Sequence, residues 1–379
     1  MMNYEEFKNE IIENIKEHLS SGHDDVTVTI NDVVKNNDRH LDGLMIRDES
    51  VNISPTIYLN NFYEEYVDGA DMDEILDKIA GIYEANVIDH DFDLSAVTDF
   101  EAAKDRIVAR VVNAGYNSEL LANRPHILMD DLAITYHIDL GHKGDGAMST
   151  AITNALAEQF GVTAEDLHKI ALANIDMNNK SVFKGMTEVM MEMVGAEIPV
   201  DAMLNNGKEQ MYVLSNESKM NGAAAILDTK MMDSIAEKLD GDYYILPSSI
   251  HETLVVPMGS EADRETLESM VRDVNATQLA PEEKLSDHVY VYDSQEHTVM
   301  RADRYEEIHA DMAQEAVADM PRDQYEKAHA GKADKAVRQE KKEERPSLKA
   351  RLDEKKAEAA KMEKKNPMKN RTKEAYHGR

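Results

Sequence analysis

The 379-residue chain contains no cysteine and no tryptophan, and it has only 6 phenylalanines. Without cysteine the chain can form no disulfide, no thiolate metal site and no iron–sulfur cluster, and it has no cysteine nucleophile. Its 23 methionines and 15 tyrosines must therefore fill much of the space that other large side chains usually occupy. Methionine packs adaptably but specifies a single arrangement less sharply than branched residues do.

Long apolar runs are also missing. No uninterrupted stretch of apolar residues approaches the roughly 18 that would indicate a membrane-spanning helix. The opening segment, MMNYEEFKNEIIENIKEHL, lacks the basic and apolar regions of a secretory signal peptide. These two absences predict a cytoplasmic protein with no membrane partner. No motif in the sequence indicates a cofactor.

Positive charge is scarce except at one end of the chain. The net charge is −32, yet residues 331–379 hold 17 Lys+Arg against 9 Asp+Glu, which leaves 25 and 65 for residues 1–330, a net of −40. An acidic body repels nucleic acid and anionic membranes. We therefore expect the body to bind an unidentified protein, with nucleic acid as a partner only for the basic tail.

The tail itself has the composition of a solvated helix. Its lysines and arginines are interleaved with acidic residues, and only Tyr376 and His377 are placed to stack on a base. Nucleic-acid binding by this segment is therefore the alternative, and a charged helix exposed to solvent is the ordinary interpretation.

Helix and strand patterns alternate irregularly along residues 1–302, without a βαβ period, which favours an α+β fold. We expect a body of one or two lobes (1–125 and 126–302) with antiparallel sheets. A charged helical tail, largely extended and partly disordered, is expected over 303–379.

Apolar spacing predicts the individual elements. Helices are expected at 3–21, 71–82, 98–111, 147–160, 164–176, 183–195, 229–239, 263–277 and 303–320. Strands are expected at 26–30, 41–47, 52–59, 131–140, 210–214, 222–227, 243–247, 253–257 and 288–293. Pro55 places the third of these strands at a sheet edge or a bulge.

The stretch PSSIHE (247–252) raises the question of a hydrolytic site. In an extended chain Ser249 and His251 share one face, whereas Ser248 and Glu252 lie on the other. A serine nucleophile needs a base within hydrogen-bond reach and a third group that orients the base. No G-x-S-x-G elbow is present. The ordinary interpretation is a polar corner between two strands, with Ser249, His251 and Glu252 as the catalytic candidates otherwise.

The stretch HIDLGHKGDG (137–146) raises the question of a metal site. His137 and Asp139 share the polar face of a predicted strand, and His142 follows closely, so imidazole and carboxylate ligands could bind a divalent metal. However, the chain has no H-E-x-x-H motif, and three glycines favour a turn over a rigid ligand frame. A solvated strand end is the ordinary interpretation of this stretch.

Five stretches taken together resemble one known family. They are DGLMIR…NISPTIYLNNFYEEY (42–66), ITNALAEQFGVTAEDLHKIALANI (152–175), MYVLSNESKMNGAAAILD (211–228), YYILPSSIHETLVVP (243–257) and VNATQLAPEEKLSDHVYVYD (274–293). Over nearly all of residues 1–300 the chain resembles an uncharacterised bacterial family, domain of unknown function 5688, common in anaerobic gut Gram-positive bacteria. The resemblance implies no activity and no catalytic residues.

The tail resembles a second class of protein. RPSLKARLDEKKAEAAKMEKK (345–365) is similar to the basic ends of accessory proteins of conjugative elements in such bacteria. This similarity implies a mobile-element setting and says nothing about mechanism.

Three functions compete on this sequence. The first is a non-enzymatic binding or accessory protein, a sharper version of which has the acidic body mimic DNA. The second is a hydrolase that uses Ser249 and His251, or a metal held by His137, Asp139 and His142. In the third, the tail binds nucleic acid while the body binds protein. We favour the first because the chain offers no complete catalytic constellation.

Overall fold

A computed structural model of the chain describes residues 1–20, 26–87, 93–143, 146–178, 180–194, 209–259 and 263–318. These residues divide into two compact units. The first consists of Met1–Asn178 with Ala280–Glu283, and the second consists of 180–279 and 284–318. Of the tail predicted over 303–379, the part beyond 318 lies outside the described residues. The lobe boundary predicted after residue 125 lies between Ser118–Ala122 and His126–Met129, two elements of the first unit.

The first unit contains two antiparallel sheets. Its strands are β1 (Thr27–Lys35), β2 (Arg39–Arg47), β3 (Thr56–Tyr58), β4 (Ile107–Asn113), β5 (His126–Met129), β6 (Leu132–Lys143) and β7 (Gly146–Ala151). Its helices are α1 (Tyr4–His18), α2 (Asn60–Val67), α3 (Met72–Asn86), α4 (Ser95–Thr98), α5 (Phe100–Ala103), α6 (Ser118–Ala122), α7 (Asn154–Phe160), α8 (Ala164–Ala173) and α9 (Ile175–Asn178). One sheet has the order β1-β2-β3, and the other has β4-β6-β5 with β7 also paired to β6.

The β1-β2-β3 sheet packs against α1 and α3. Phe7, Ile11 and Ile15 on α1 are buried in one apolar core with Leu44 of β2 and Tyr83 of α3. The predicted edge position of the third strand is confirmed, because Pro55 immediately precedes β3, at the margin of this sheet. Proline is tolerated there because an edge strand has an amide side with no ladder partner.

The second unit is built on one six-stranded sheet with the order β13-β12-β10-β11-β9-β8. Its elements are β8 (Ser181–Gly185), α10 (Met186–Val194), β9 (Tyr212–Asn216), α11 (Thr229–Leu239), β10 (Tyr243–Leu246), β11 (Thr253–Pro257), α12 (Arg264–Thr277), β12 (Tyr290–Asp293), β13 (Thr298–Arg301) and α13 (Ala302–Ala318). Every described strand pairing in both units is antiparallel, which confirms the predicted α+β class.

Two helices cover opposite faces of this sheet. Leu267, Met270 and Val271 of α12 pack with Val256 and Val291 on one face. On the other face the hydroxyl of Tyr243 donates to the carbonyl oxygen of Met232 on α11, at 3.0 Å. The last turn of α11 lies beside the turn between β12 and β13.

Several predicted elements differ from the structure, among them the helix predicted at 183–195, which begins only at Met186 because residues 183–185 belong to β8. Residues 107–111 form the start of β4 instead of continuing a helix, because the β-branched run from Ile107 pairs with β6. Residues 146–151 form β7, the return strand of a hairpin with β6, and the helix that follows starts only at Asn154, capped by Thr153. Gly222–Leu227 is a 3₁₀ helix and not a strand.

The strand β6 also differs in its surroundings. Leu132, Ile134 and Tyr136 were expected to face the core, and they are buried. The opposite face was expected to be polar and solvated, yet Thr135 is 0% exposed and His137 is 7% exposed. A strand at the centre of a sheet covered on both faces buries both sets of side chains, and alternation alone does not reveal the second cover.

The tip of the β1–β2 hairpin (Asn36–Asp38) holds the first unit together. Asn37 and Asp38 adopt left-handed φ values of 60° and 47°, which Asn and Asp tolerate better than most residues. The side-chain amide of Asn117, fully buried, accepts from the backbone N–H of Asn37 at 2.8 Å and donates to its side-chain oxygen at 3.0 Å. Asp38 accepts from the backbone N–H groups of Glu119 and Leu120 at the start of α6.

We expect Asn117→Ala to lower the free energy of unfolding by about 2–4 kcal/mol, because buried backbone groups lose their hydrogen-bond partner. Besides its bonds to Asn37, the Asn117 amide donates to the carbonyl oxygen of Asn113 at 2.8 Å. Urea unfolding measures the change. The matched control is Asn123→Ala on an exposed side chain, expected within about 0.5 kcal/mol of the parent chain. An Asn117→Ala protein as stable as this control would contradict the role given to the hairpin tip.

Candidate functional site

The PSSIHE corner lies between β10 and β11 in the second unit. The hydroxyl oxygen of Ser249 accepts from the backbone N–H of His251 at 3.0 Å, and the backbone N–H of Ser249 donates to the carbonyl oxygen of Glu252 at 3.1 Å. The Nδ1 atom of His251 accepts from the backbone N–H of Asn221 at 3.2 Å. A nucleophile–base pair requires the serine hydroxyl to donate to the imidazole. These bonds instead tie the corner to the loop after β9, and the catalytic role of Ser249, His251 and Glu252 stays a prediction.

Two of the stretches that carry the family resemblance meet at this corner. The hydroxyl of Ser215 donates to the carbonyl oxygen of His251 at 2.8 Å. A Cβ atom at Gly222 would lie 2.2 Å from the Ser215 hydroxyl oxygen and 2.5 Å from the His251 carbonyl oxygen. Only glycine allows the backbone to approach so closely. The corner therefore fixes residues 215–222 against residues 249–252.

Glu252 is the electrostatically unusual residue of the corner. Burial raises the pKa of its carboxyl group, and the nearby Lys219 opposes that rise. Lys219 and Asn221 both adopt left-handed backbone conformations, with φ of 56° and 52°. Perturbed carboxyl groups and strained loops are common at functional sites, and buried structural carboxyl groups show the same shift.

The metal candidates lie on β6 of the first unit. His137 is buried, and burial together with Arg110 and Arg124 lowers its pKa well below the ordinary value. Asp139 accepts from the backbone N–H of Gly141 at 2.8 Å, beside an irregularity in the β6–β7 pairing. The side chain of His142 lies outside the described residues. Within the part of the chain that is described, no group of three His, Asp or Glu side chains could hold a metal ion.

A site that sequence reasoning missed is an open depression of about 460 Å³ in the second unit. Its lining residues are Asp233, Ala236, Glu237, Asp240, Gly241, Ser294 and His297, and we call it the acidic depression. The last turns of α11 supply three of these residues, the chain just after α11 supplies two, and the β12–β13 turn supplies Ser294 and His297.

Hydrogen bonds hold the floor of the acidic depression. Asp233 accepts from the hydroxyl of Tyr292 at 2.5 Å and lies 2.7 Å from Nδ1 of His297. These two contacts lower the pKa of Asp233, so its carboxylate stays ionised. Ser294 donates both its backbone N–H and its hydroxyl to Asp242, at 2.8 and 2.6 Å, which fixes the turn that carries His297.

The rim of the acidic depression carries uncompensated negative charge. Glu237 and Asp240 have no hydrogen-bond or ion-pair partner among the described side chains. Both lie at the C-terminal end of α11, where the helix dipole already contributes negative potential. Lys238 is the one basic residue of this turn, and its ammonium group lies over the ring of Phe183 at 5.0 Å. The arrangement suits a cationic group.

Only part of this site has a sequence signal. Asp233 and Glu237 lie four residues apart on the predicted helix 229–239, so a shared face could be read from spacing. His297 follows Asp233 by 64 residues and reaches it only through the pairing of β12 with β10 and β13. Strand order is set by tertiary structure, and no local sequence pattern around His297 predicts this contact.

Most of the chain matches one known protein family. A family model described as "Family of unknown function (DUF5688)" matches residues 4–294. The chain belongs to this family. The family resemblance predicted from the five stretches is thereby confirmed. Neither the curated proteins nor the solved structures contain a match to the chain.

Most residues of the candidate sites lie inside the part of the chain that the family model matches. Asp233, Glu237 and Asp240 lie inside the matched residues, whereas His297 lies three residues beyond their end. The PSSIHE corner and β6 are also inside. Among the described helices, none combines the length and the apolar character needed to cross a membrane.

We expect Glu252→Gln to stabilise the protein at pH 8 and to change its stability less at pH 5. A carboxyl group whose pKa is raised on folding contributes stability below its unfolded pKa, about 4.3, and loses it as pH rises through the folded pKa. Glutamine removes that loss, so the stabilisation is expected to be larger at pH 8 than at pH 5. Urea unfolding at both pH values measures it, with the exposed Glu265→Gln as control. Equal destabilisation at both pH values would contradict this account.

Proposed function

We propose that the protein is a non-enzymatic binding protein of a bacterial mobile element that acts through protein–protein contacts. In this proposal the acidic depression receives a lysine or arginine side chain of the partner. The observation that carries it is the pair of unpartnered carboxylates, Glu237 and Asp240, beside the ionised Asp233.

Electrostatics favour a cation at this place for three reasons. Three carboxylates line the depression, and none of the lysines and arginines that the structure describes does. The C-terminal end of α11 adds the negative end of a helix dipole. A guanidinium or ammonium group placed there relieves the repulsion among the carboxylates and supplies them with hydrogen-bond donors.

The whole chain favours a protein as the source of that cation. The net charge of −40 over residues 1–330 creates a long-range field that steers a basic surface toward the body and raises its rate of association. A small amine gains little from such a field, because it carries few charges. The mobile-element setting rests on the similarity of residues 345–365 to the basic ends of conjugative accessory proteins.

We expect Glu237→Gln with Asp240→Asn to weaken binding of an arginine-rich decapeptide at least tenfold, since the ligand loses two charge-assisted hydrogen bonds. Isothermal titration calorimetry on the full chain at 0.15 M salt measures the affinity. The parent chain is expected to bind the decapeptide at least tenfold more tightly than free arginine.

The matched control is Glu13→Gln with Glu17→Gln on α1, which removes the same charge from two exposed positions of the first unit. This control is expected to change the affinity less than threefold. Equal weakening by both double variants would show that net charge alone drives binding and would overturn the site. Equal affinity for free arginine and the decapeptide would overturn the protein partner.

A further inference from the structure

A cluster of basic and hydroxyl side chains lies on one face of the β4-β6-β5 sheet. Strand register places Arg110 of β4 opposite Thr135 of β6, and Thr135 opposite His126 of β5. Side chains two residues apart on a strand share a face, so His137 lies beside Thr135 on the same side. From sequence this face was expected to be a solvated strand end, with a metal site as the alternative.

Arg110 crosses the strand that separates it from β7. Its Nη2 atom donates to the hydroxyl of Ser149 at 2.5 Å, and Ser149 is exposed. Ser149 of β7 pairs with Asp139 of β6, so β6 lies between β4 and Ser149. The guanidinium of Arg110 therefore spans β6 next to His137. Ser149 marks the exposed margin of this face, whereas Thr135 and His137 on the same face are buried.

Arg124, in the turn between α6 and β5, adds a second guanidinium. The positive charges of Arg110 and Arg124 each lower the pKa of His137, and the charge of Arg124 also lowers the pKa of Arg110. Burial is the larger cause, and together these effects lower the pKa of Arg110 to about 10. The carboxylate of Asp139 opposes this shift in the pKa of Arg110.

Neither guanidinium forms an ion pair with a carboxylate among the described residues. An arginine offers five N–H donors, and Arg110 uses one of them on Ser149 while the guanidinium of Arg124 uses none in this part of the chain. Two like charges, partly desolvated and close together, are costly without an anion. Arginines without a carboxylate partner are unexpected in a body with such an excess of carboxylates.

Thr135 supplies an independent observation. Its side chain is fully buried, and its hydroxyl oxygen has no hydrogen-bond partner among the described residues. A buried hydroxyl without a partner costs free energy. It faces the same side as Arg110 and His137, so a ligand bound there would find a free donor.

We propose that Arg110, Arg124 and Thr135 form a binding site for a phosphate group, either inorganic phosphate or a small phosphate monoester. Arginine forks match phosphate oxygens in pairs, and two of them balance a dianion. The hydroxyl of Thr135, on the same face of the sheet as Arg110, adds a further donor, which a tetrahedral group uses and a planar carboxylate does not. A metal cation is disfavoured in the same place by both arginines. This proposal is independent of the protein-binding function.

The test is titration of the full chain with inorganic phosphate, glycerol 3-phosphate and acetate at constant ionic strength, followed by calorimetry. The parent chain is expected to bind one of the two phosphates at least tenfold more tightly than acetate, and the tighter of the two identifies the source. Arg110→Gln and Arg124→Gln are each expected to weaken that binding at least tenfold, and Thr135→Val at least threefold. Arg47→Gln, at an exposed end of β2, is the matched control, expected within twofold.

Thermal unfolding without phosphate separates a ligand site from a structural one. Thr135→Val is expected to raise Tm, because it removes a buried unpartnered hydroxyl at nearly constant volume, and Arg124→Gln is expected to leave Tm unchanged or higher. If Arg110→Gln fails to fold, Arg110→Lys keeps the charge, loses the fork, and is expected to weaken binding. Absence of phosphate binding by the parent chain, equal weakening by Arg47→Gln, or a lower Tm for Thr135→Val would overturn the proposal.

Discussion

The first unit depends on the three residues at the tip of the β1–β2 hairpin. The side-chain amide of Asn117 accepts a hydrogen bond from the backbone N–H of Asn37 and donates one to the side-chain oxygen of Asn37. The carboxylate of Asp38 caps α6. The side chains of Asn36 and Asn37 also donate to the carbonyl oxygens of Glu282 and Pro281. The tip thus joins one sheet to the elements that lead into the other, and it does so with polar groups that demand exact partners. Apolar packing alone would allow these pieces to slide, since it is non-directional.

The two candidate sites follow from charge placed against the ordinary rules. Acidic residues at a helix C-terminus and paired arginines without carboxylates both cost stability in an unliganded chain. In natural proteins such departures from the usual placement of charge occur mostly at functional sites. The acidic depression arises where α11 ends against the β12–β13 turn, and the arginine cluster arises where β4, β6 and β7 lie side by side. The sites have opposite charge and lie in different units.

Much of the fold follows from local pattern. The alternation in VTVTI and LDGLMIR predicts β1 and β2, and Asp71 marks the start of α3, where its side chain accepts from the backbone N–H of Asp73. Residues 107–111 defeat the same reasoning, because Ile107 and Val111 fit both a helix face and a strand, and only pairing with β6 decides between them. The sites are harder still. The contact between Asp233 and His297, and that between Arg110 and Ser149, join residues far apart in sequence whose meeting is set by strand order.

The short segment Ala280–Glu283 gives the chain an unusual order of completion. It belongs to the first unit, yet it is synthesised after β8, β9, β10 and β11 of the second. A domain generally folds as its residues leave the ribosome, N-terminal part first. Here the hydrogen bonds from the hairpin tip to the carbonyl oxygens of Pro281 and Glu282 can form only after most of the second unit has been synthesised. A chain truncated before residue 280 would therefore lack these two partners of the hairpin tip as well as β12, β13 and α13 of the second unit.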